Sequence, residues 1–291
     1  MKILVVQEYG IGNLILTTPL IRVLSREHHV DIIVSSNRVA GWLIINMLTK
    51  AGCLLKDNPL LFDMVYDYVL YCHPPGRIRP PKGQFRHQRV IPTDKDKQDK
   101  KYPFRFSEHE VTACLRLSEG LISREITDED MQLYCESQPP TRFTSDKNKV
   151  QVAIGIGYLK DHPWWRQKHW GNFKYVQLIQ ELKERGAIPV LVGDHKDQKA
   201  DGEDIQKRSG CKSLCGTGLG TVLSVIMGSD YYIGNDSGLM HVAAAYGKTV
   251  IGIFREGISN PIKNKPWCSN GHALVDPTVA DVLEVFGDID G

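Results

Sequence analysis

The sequence predicts an α/β protein made of two doubly wound domains, and three observations carry that expectation. Short continuous apolar runs, such as residues 3–6 and 188–192, have the character of strands buried on both faces of a parallel sheet. They alternate with stretches of helical spacing in the order strand, helix, strand, helix, as doubly wound domains do. The segment 137–149, with Pro139-Pro140 followed by polar residues, interrupts that alternation as a linker. At 291 residues the chain has the length for two ordinary domains, placed at 1–145 and 150–291.

In the N-terminal half, residues 3–6 are the first strand and lead into Gln7-Glu8-Tyr9-Gly10-Ile11-Gly12-Asn13. A helix follows over 14–24, where Leu20, Val23 and Leu24 keep helical spacing and Pro19 suits a first turn. Residues 30–34 form the next strand and 42–48 a second amphipathic helix. Gly10-x-Gly12 lacks the third glycine of a dinucleotide fingerprint. No acidic residue ends the second strand either, since Asp31 stands at its start, which argues against a nicotinamide cofactor. Residues 62–70 hold another strand. From 73 to 105 prolines break every periodicity, and ten Lys/Arg stand against three acids. Such a basic loop either faces an anion or is a solvated surface. Its aromatics (Phe85, Tyr102, Phe104) form no stacking pattern for nucleic acid. Residues 107–119 have helical spacing, with Val111, Cys114 and Leu115 as the apolar face.

Composition sets outer limits. A chain with 42% hydrophobic and 24% charged residues is an ordinary globular protein, and a net charge of +2 gives no general attraction to nucleic acid. The seven cysteines are scattered without metal-ligand spacing, so reduced structural thiols and no metal are expected. The apolar run after Met1-Lys2 is too short for a signal-peptide core, and no stretch approaches the roughly 20 apolar residues of a membrane span. The expected location is cytoplasmic, with peripheral contact at the inner face of a membrane left open.

In the C-terminal half a strand over 151–156 leads into Gly155-Ile156-Gly157. Then come Trp164-Trp165-Arg166-Gln167-Lys168-His169-Trp170 and a helix through Gln177, Leu178, Ile179 and Leu182. The strand at 188–192 ends in Gly193-Asp194-His195-Lys196-Asp197. An acid at the carboxyl end of a parallel strand can hold ribose hydroxyls, so Asp194 and Asp197 are both candidates. Residues 214–219 form a turn containing Gly216 and Thr217, ahead of a helix at 221–227, and 277–286 is a closing helix. Between them lies the most informative stretch, 230–254: a strand at 231–233, a polar turn, a short small-residue helix, and a strand at 249–254. Asp236 or Ser237 is the expected N-cap, Gly247 the C-terminal stop, and Gly238 permits close approach. The free amides there either hold a phosphate or simply begin a capped helix between buried strands. His241, one turn in, is within reach of a ligand there or is a packing residue.

The run Asn235-Asp236-Ser237-Gly238-Leu239-Met240-His241-Val242-Ala243-Ala244-Ala245-Tyr246-Gly247-Lys248 resembles the donor-binding motif of the ADP-heptose:lipopolysaccharide heptosyltransferases, glycosyltransferase family 9. Further matches fall in order along the chain. Gly12, Leu14, Thr17, Thr18 and Pro19 agree with the family's first loop and helix, and Lys168-His169-Trp170 resembles its Lys-x-Trp element. The resemblance implies a GT-B fold, two Rossmann-like domains facing each other across a cleft. It also implies an enzyme that transfers heptose or a related sugar, with inversion, from an ADP-sugar to a hydroxyl of a lipopolysaccharide core or other surface glycan. No cofactor or metal is implied. The partners are a nucleotide-diphosphate sugar and an anionic glycolipid or glycan.

Residue by residue, the implied donor contacts are Gly12, Asp194, Asp197, Gly216, Thr217, Asn235, Asp236, Ser237, Gly238 and His241. Arg77, Arg79, Arg86 and Arg89 of the basic loop would meet the acceptor. Lys168, with Arg166 behind it, would neutralise the departing diphosphate. Asn13 departs from the pattern, because the family's usual catalytic Asp belongs at that position. An amide can hold a hydroxyl but cannot take its proton. Glu8 on the same loop is the first substitute, His109 or Asp57 another, and a chain that binds donor without turnover the third.

Overall fold

The computed structural model describes residues 1–7, 10–34, 53–55, 65–72, 85–90, 108–157, 166–193 and 198–287. The chain divides into two compact units, Met1–Glu136 and Ser137–Gly291. The division falls at the start of the expected linker and not inside it, because residues 141–143 belong to the C-terminal unit. Thr141 N donates to Ser224 O at 2.8 Å, Arg142 bridges to both carboxylate oxygens of Asp230 at 2.9 Å, and Phe143 N donates to Gln151 Oε1 at 2.8 Å.

In the N-terminal unit the described elements are β1 (Lys2–Gln7), α1 (Ile11–Ser25), β2 (His29–Val34), β3 (Cys53–Leu55), β4 (Tyr66–Tyr71), β5 (Phe85–Val90) and α2 (Glu110–Arg116). The strands form one sheet in the order β3-β2-β1-β4-β5, every pair parallel. Ile3, Leu4, Val5, Ile32 and Ile33 are fully buried, as two-sided cover requires.

Two expectations need correction here. Pro19 is inside α1, not in its first turn, because the helix starts at Ile11. Proline brings no N–H to the carbonyl one turn back, which is that of Ile15. The Thr18 hydroxyl donates to that oxygen at 2.7 Å, so the helix continues through the proline with the carbonyl satisfied. The proline-rich basic segment is not loop throughout: β5 lies within it and pairs with β4, Tyr68 opposite His87 and Leu70 opposite Arg89. The expected helix at 42–48 falls outside the described residues.

The C-terminal unit runs β6 (Gln151–Gly155), α3 (Asn172–Glu184), β7 (Ile188–Val192), α4 (Lys199–Ser209), β8 (Lys212–Ser213), α5 (Leu219–Gly228), β9 (Tyr231–Asn235), α6 (Gly238–Ala245), β10 (Thr249–Phe254), α7 (Pro261–Asn264), β11 (Gly271–Val275) and α8 (Val279–Gly287). Its sheet is parallel, in the order β11-β10-β9-β6-β7-β8. One core cluster joins Val152, Ile154, Tyr175, Ile179, Ile233 and Ile251 to Val282 and Phe286 of the closing helix. That helix starts with a reciprocal cap, Thr278 N to Asp281 Oδ2 at 2.8 Å and Asp281 N to Thr278 Oγ1 at 3.2 Å.

Each sheet reverses its winding once. In the first, the chain moves outward from β1 through β2 to β3 and returns to place β4 on the other side of β1. In the second, it moves from β6 through β7 to β8 and returns to place β9 beside β6. In open α/β sheets the crevice beyond the carboxyl ends of such a strand pair is where ligands bind. Here those ends lead to the first turn of α1, with Gly12 and Asn13, and to the Asp236-Ser237-Gly238 turn.

Candidate active site

At the second reversal, β6 and β9 approach closely because glycines face each other, Gly155 opposite Gly234. A side chain on Gly155 would collide with the phenol of Tyr232, and one on Gly234 with the Gly155 backbone. Just beyond, a Cβ on Gly157 would lie 2.9 Å from Ser237 Oγ, so glycine there admits the turn between β9 and α6. Ser237 occupies the N-cap of α6, but its hydroxyl makes no cap hydrogen bond, contrary to the sequence expectation. Asp236 does not cap either. Its carboxylate, 3% exposed, takes Lys168 Nζ at 2.6 Å. Gly247, with φ +67°, closes α6 through Gly247 N to Ala244 O at 3.0 Å and Lys248 N to Ala243 O at 3.1 Å.

Lys168 belongs to a segment held at three successive residues. The carbonyl of His169 accepts from Arg255 Nη1 at 3.0 Å, Trp170 Nε1 donates to Pro277 O at 3.0 Å, and His169 Nδ1 accepts from Gly171 N at 3.0 Å. Arg255, directly after β10, is itself fixed by Asp276, whose oxygens take Arg255 Nε at 2.6 Å and the Glu256 amide at 2.9 Å. Asp276 is the one non-glycine at positive φ among the described residues, at +46°. Burial lowers the His169 pKa, so the ring stays neutral with Nδ1 available as acceptor. Beneath the turn, Asn235 is fully buried. Its Oδ1 accepts the Tyr175 hydroxyl and its Nδ2 donates to Gly157 O at 3.4 Å. Burial pushes the Tyr175 pKa well up, so its hydroxyl stays a donor.

The first reversal has a different chemistry. Gln7 ends β1 and donates through Nε2 to Thr17 Oγ1 at 2.9 Å and to the Asn13 carbonyl at 3.2 Å; Thr17 Oγ1 donates to the same carbonyl at 2.8 Å. With its backbone held, the partly exposed Asn13 reaches Glu110 Oε1 through Nδ2 at 2.7 Å. Glu110 is fully buried in the first turn of α2, where the helix dipole favours a carboxylate. His109 caps that helix by accepting Val111 N on Nδ1 at 3.2 Å, a structural task that explains its burial.

With this geometry in place, comparison with known proteins gives one consistent result. The model of glycosyltransferase family 9 (heptosyltransferase) matches residues 83–279. The chain belongs to that family. It is similar to lipopolysaccharide heptosyltransferase 2 of Escherichia coli, 31% identical over 36% of this chain and 32% of that protein. It is equally similar to lipooligosaccharide heptosyltransferase 2 of Haemophilus influenzae, 31% identical over 60% of this chain and 52% of that one. The chain therefore spans about a third to a half of the length of these curated relatives. Among solved structures, the E. coli ADP-heptose lipopolysaccharide heptosyltransferase II matches with a TM-score of 0.68 over 99% of this chain and 98% of that one, at 19% identity. That likeness shows the fold, which is the GT-B class.

Against the family's motifs, the structure brings Lys168, Asp236, Ser237 and Gly238 to one end of the second sheet. Four predicted contacts take other places. Asn235 is a buried strut under the turn and not a ligand-facing group. His241, at 4% exposure, is packed within α6. Arg89 lies over the Tyr68 ring and donates to the Leu117 carbonyl at 2.9 Å, closing the end of α2. Arg86 stands 3.7 Å from Asp67, which also accepts Lys2 N at 2.9 Å; it is therefore at the amino end of the first sheet, away from Asn13. Gly216 and exposed Thr217 sit at the end of β7, where Gly216 N donates to Gly193 O at 3.0 Å. Gly12 is buried in the first turn of α1. Glu8, Asp57, Arg77, Arg79, Asp194 and Asp197 lie outside the described residues. Sequence reasoning missed Glu110, Tyr175, Arg255 and Asp276. Arg255 and Asp276 had a signal, each a charged residue immediately after a parallel strand. Among the described residues no three metal-binding side chains converge, and no helix is long and apolar enough to cross a membrane.

Proposed function

We propose that this chain is an inverting glycosyltransferase that moves heptose, or a related sugar, from an ADP-sugar to a hydroxyl of a lipopolysaccharide core or other surface glycan. The observation that carries the reading is the Lys168–Asp236 pair beside the first turn of α6, at the point where the second sheet reverses. Support comes from family membership and from the ADP-heptose named for the E. coli structure.

In this reading the diphosphate lies against the amides of Ser237 and Gly238. The ammonium of Lys168 has three donors. Asp236 takes two, through its carboxylate at 2.6 Å and its carbonyl at 3.5 Å, and so aims the third at the phosphate, which gains charge as the sugar leaves. The acceptor oxygen bonds to the anomeric carbon as the carbon–oxygen bond to phosphate breaks, and ADP departs. The hydroxyl proton goes to a carboxylate, for which Glu8 is the assignment, since Asn13 cannot accept it. The acceptor is an anionic glycolipid or glycan, met peripherally at the inner face of the membrane.

Incubation of the purified chain with ADP-heptose and a heptose-deficient lipopolysaccharide core, with the product linkage read by NMR, tests this. Transfer with inverted configuration is expected. Retention of configuration would reject the mechanism, and ADP binding without transfer would leave a nucleotide-sugar-binding protein.

A further inference from the structure

Lys168 carries the transferase reading, yet much of what fixes it lies outside its own motif. The next residue, His169, presents its carbonyl to Arg255 Nη1 at 3.0 Å, from 86 positions away in the chain. Arg255 follows β10 directly, and its Nε donates to Asp276 Oδ1 at 2.6 Å. The other oxygen of Asp276 accepts the Glu256 amide at 2.9 Å, and Asp276 N donates to Phe254 O at 2.8 Å. The carboxylate is thus tied to the chain on both sides of Arg255. Pro277 adds a second tie to the same segment, its carbonyl taking Trp170 Nε1 at 3.0 Å and Lys174 Nζ at 3.1 Å. A guanidinium is a planar fork with donors in fixed directions, so a held Nε sets where Nη1 points.

Stability does not account for this arrangement. Asp276 holds φ +46°, a left-handed backbone that costs a non-glycine residue free energy. The side chains of its ion pair with Arg255 are 36% and 42% exposed, and pairs so open to water stabilise little. What the pair does is set a donor against the backbone beside Lys168. A lysine ammonium sits on a flexible four-carbon stem, so its placement depends on the backbone that carries it. We propose that Arg255, aimed by Asp276, is a positioning residue for Lys168. By holding the His169 carbonyl it keeps the ammonium on Asp236 and directed at the departing diphosphate. This rests on the transferase reading given above. Arg255 and Asp276 act through Lys168 and not by touching the donor.

The test is a double-mutant cycle with ADP-heptose as donor and a heptose-deficient lipopolysaccharide core as acceptor. Arg255→Ala is expected to lower kcat about tenfold, as misplacement of a charge-stabilising group does, with KM for the acceptor unchanged. Added to Lys168→Ala, it should slow transfer no further, because no ammonium is left to place. Its effect on the denaturation midpoint should be the same in both backgrounds, which separates positioning from a merely structural role. Additive losses in kcat would overturn the proposal, as would an Arg255→Ala variant as fast as wild type. Asp276→Asn provides a milder arm should Arg255→Ala fail to fold. Asparagine tolerates the left-handed backbone, but its one side-chain oxygen must then serve both Arg255 and the Glu256 amide. It should lower kcat about threefold alone and not at all beside Lys168→Ala. An unchanged kcat in the single variant, or the same loss in both backgrounds, would overturn the proposal. If the wild-type chain transfers no heptose at all, the transferase reading falls and takes this inference with it. If wild type turns over and the cycle is additive, only the role of Arg255 and Asp276 falls.

Discussion

The two sheet reversals are built alike and charged differently. In each, a central parallel strand is followed by a helix with a glycine in its first turn, Gly12 in α1 and Gly238 in α6. In the C-terminal unit the turn carries a carboxylate, Asp236, and it meets a cation, Lys168. In the N-terminal unit the first turn of α1 carries an amide, Asn13, and it meets a carboxylate, Glu110. The first arrangement suits a group that arrives as an anion and leaves with more negative charge. The second pairs an amide donor with a buried carboxylate. One scaffold thus sets opposite charges against corresponding positions.

The largest effect that would break this contrast is expected from Lys168→Ala. It removes the cation and leaves the nearly buried Asp236 carboxylate without its partner. Transfer should fall by roughly 10²–10³-fold, as loss of one charge-stabilising donor does elsewhere, and ADP should bind more weakly. Steady-state rates and calorimetry measure both, and unaltered values would remove Lys168 from the site. Asp236→Asn is the sharper probe. It keeps an oxygen for Lys168 but removes a negative charge from beside the phosphates. ADP should bind at least as tightly as to wild type while transfer slows about tenfold. Weaker ADP binding would mean that the carboxylate serves the donor in some way other than by aiming the lysine.

Stability measurements examine the frame behind the charged pair. Tyr175→Phe leaves the buried Asn235 Oδ1 without the hydroxyl it accepts, and should cost about 1–3 kcal/mol by chemical denaturation. A variant as stable as wild type would show that Asn235 is not held from below. The smallest effect concerns His169, whose pKa burial holds under its ordinary value near 6.5. A group with a depressed folded pKa contributes its full stability above the unfolded value and loses it as pH falls toward the folded one. Denaturation midpoints should therefore decline as pH drops below about 6.5, and less so in His169→Asn, which can still accept the Gly171 amide. Equal pH slopes in both proteins would show that His169 does not titrate with folding.

The contrast also explains what could be read in advance. Asp236, Ser237 and Gly238 are neighbours in one motif, and Lys168 stands beside Trp170 in another, so both halves of the charged pair announced themselves locally. Asn13 was legible only as a departure, because its partner lies 97 residues away on a helix whose spacing marked only its apolar face. His109 drew attention as a titratable group, but it caps α2, and the residue that meets Asn13 is the next one, Glu110. The basic segment misled through composition: prolines suggested loop throughout, while Arg86 and Arg89 lie on a strand and are committed to Asp67 and to the end of α2.

By itself the sequence determined the alternation of buried strands and helices, the family, and the turns that end the central strands. These follow from apolar runs, spacing and contiguous motifs, all of which act over a few residues. The tertiary structure decided which distant groups those turns face: Glu110 behind Asn13, Tyr175 beneath Asn235, and Asp276 and Arg255 behind the Lys168 segment. A hydrogen bond or ion pair needs its atoms within about 3 Å whatever their separation along the chain, and only packing of sheets and helices brings residues that far apart to that distance.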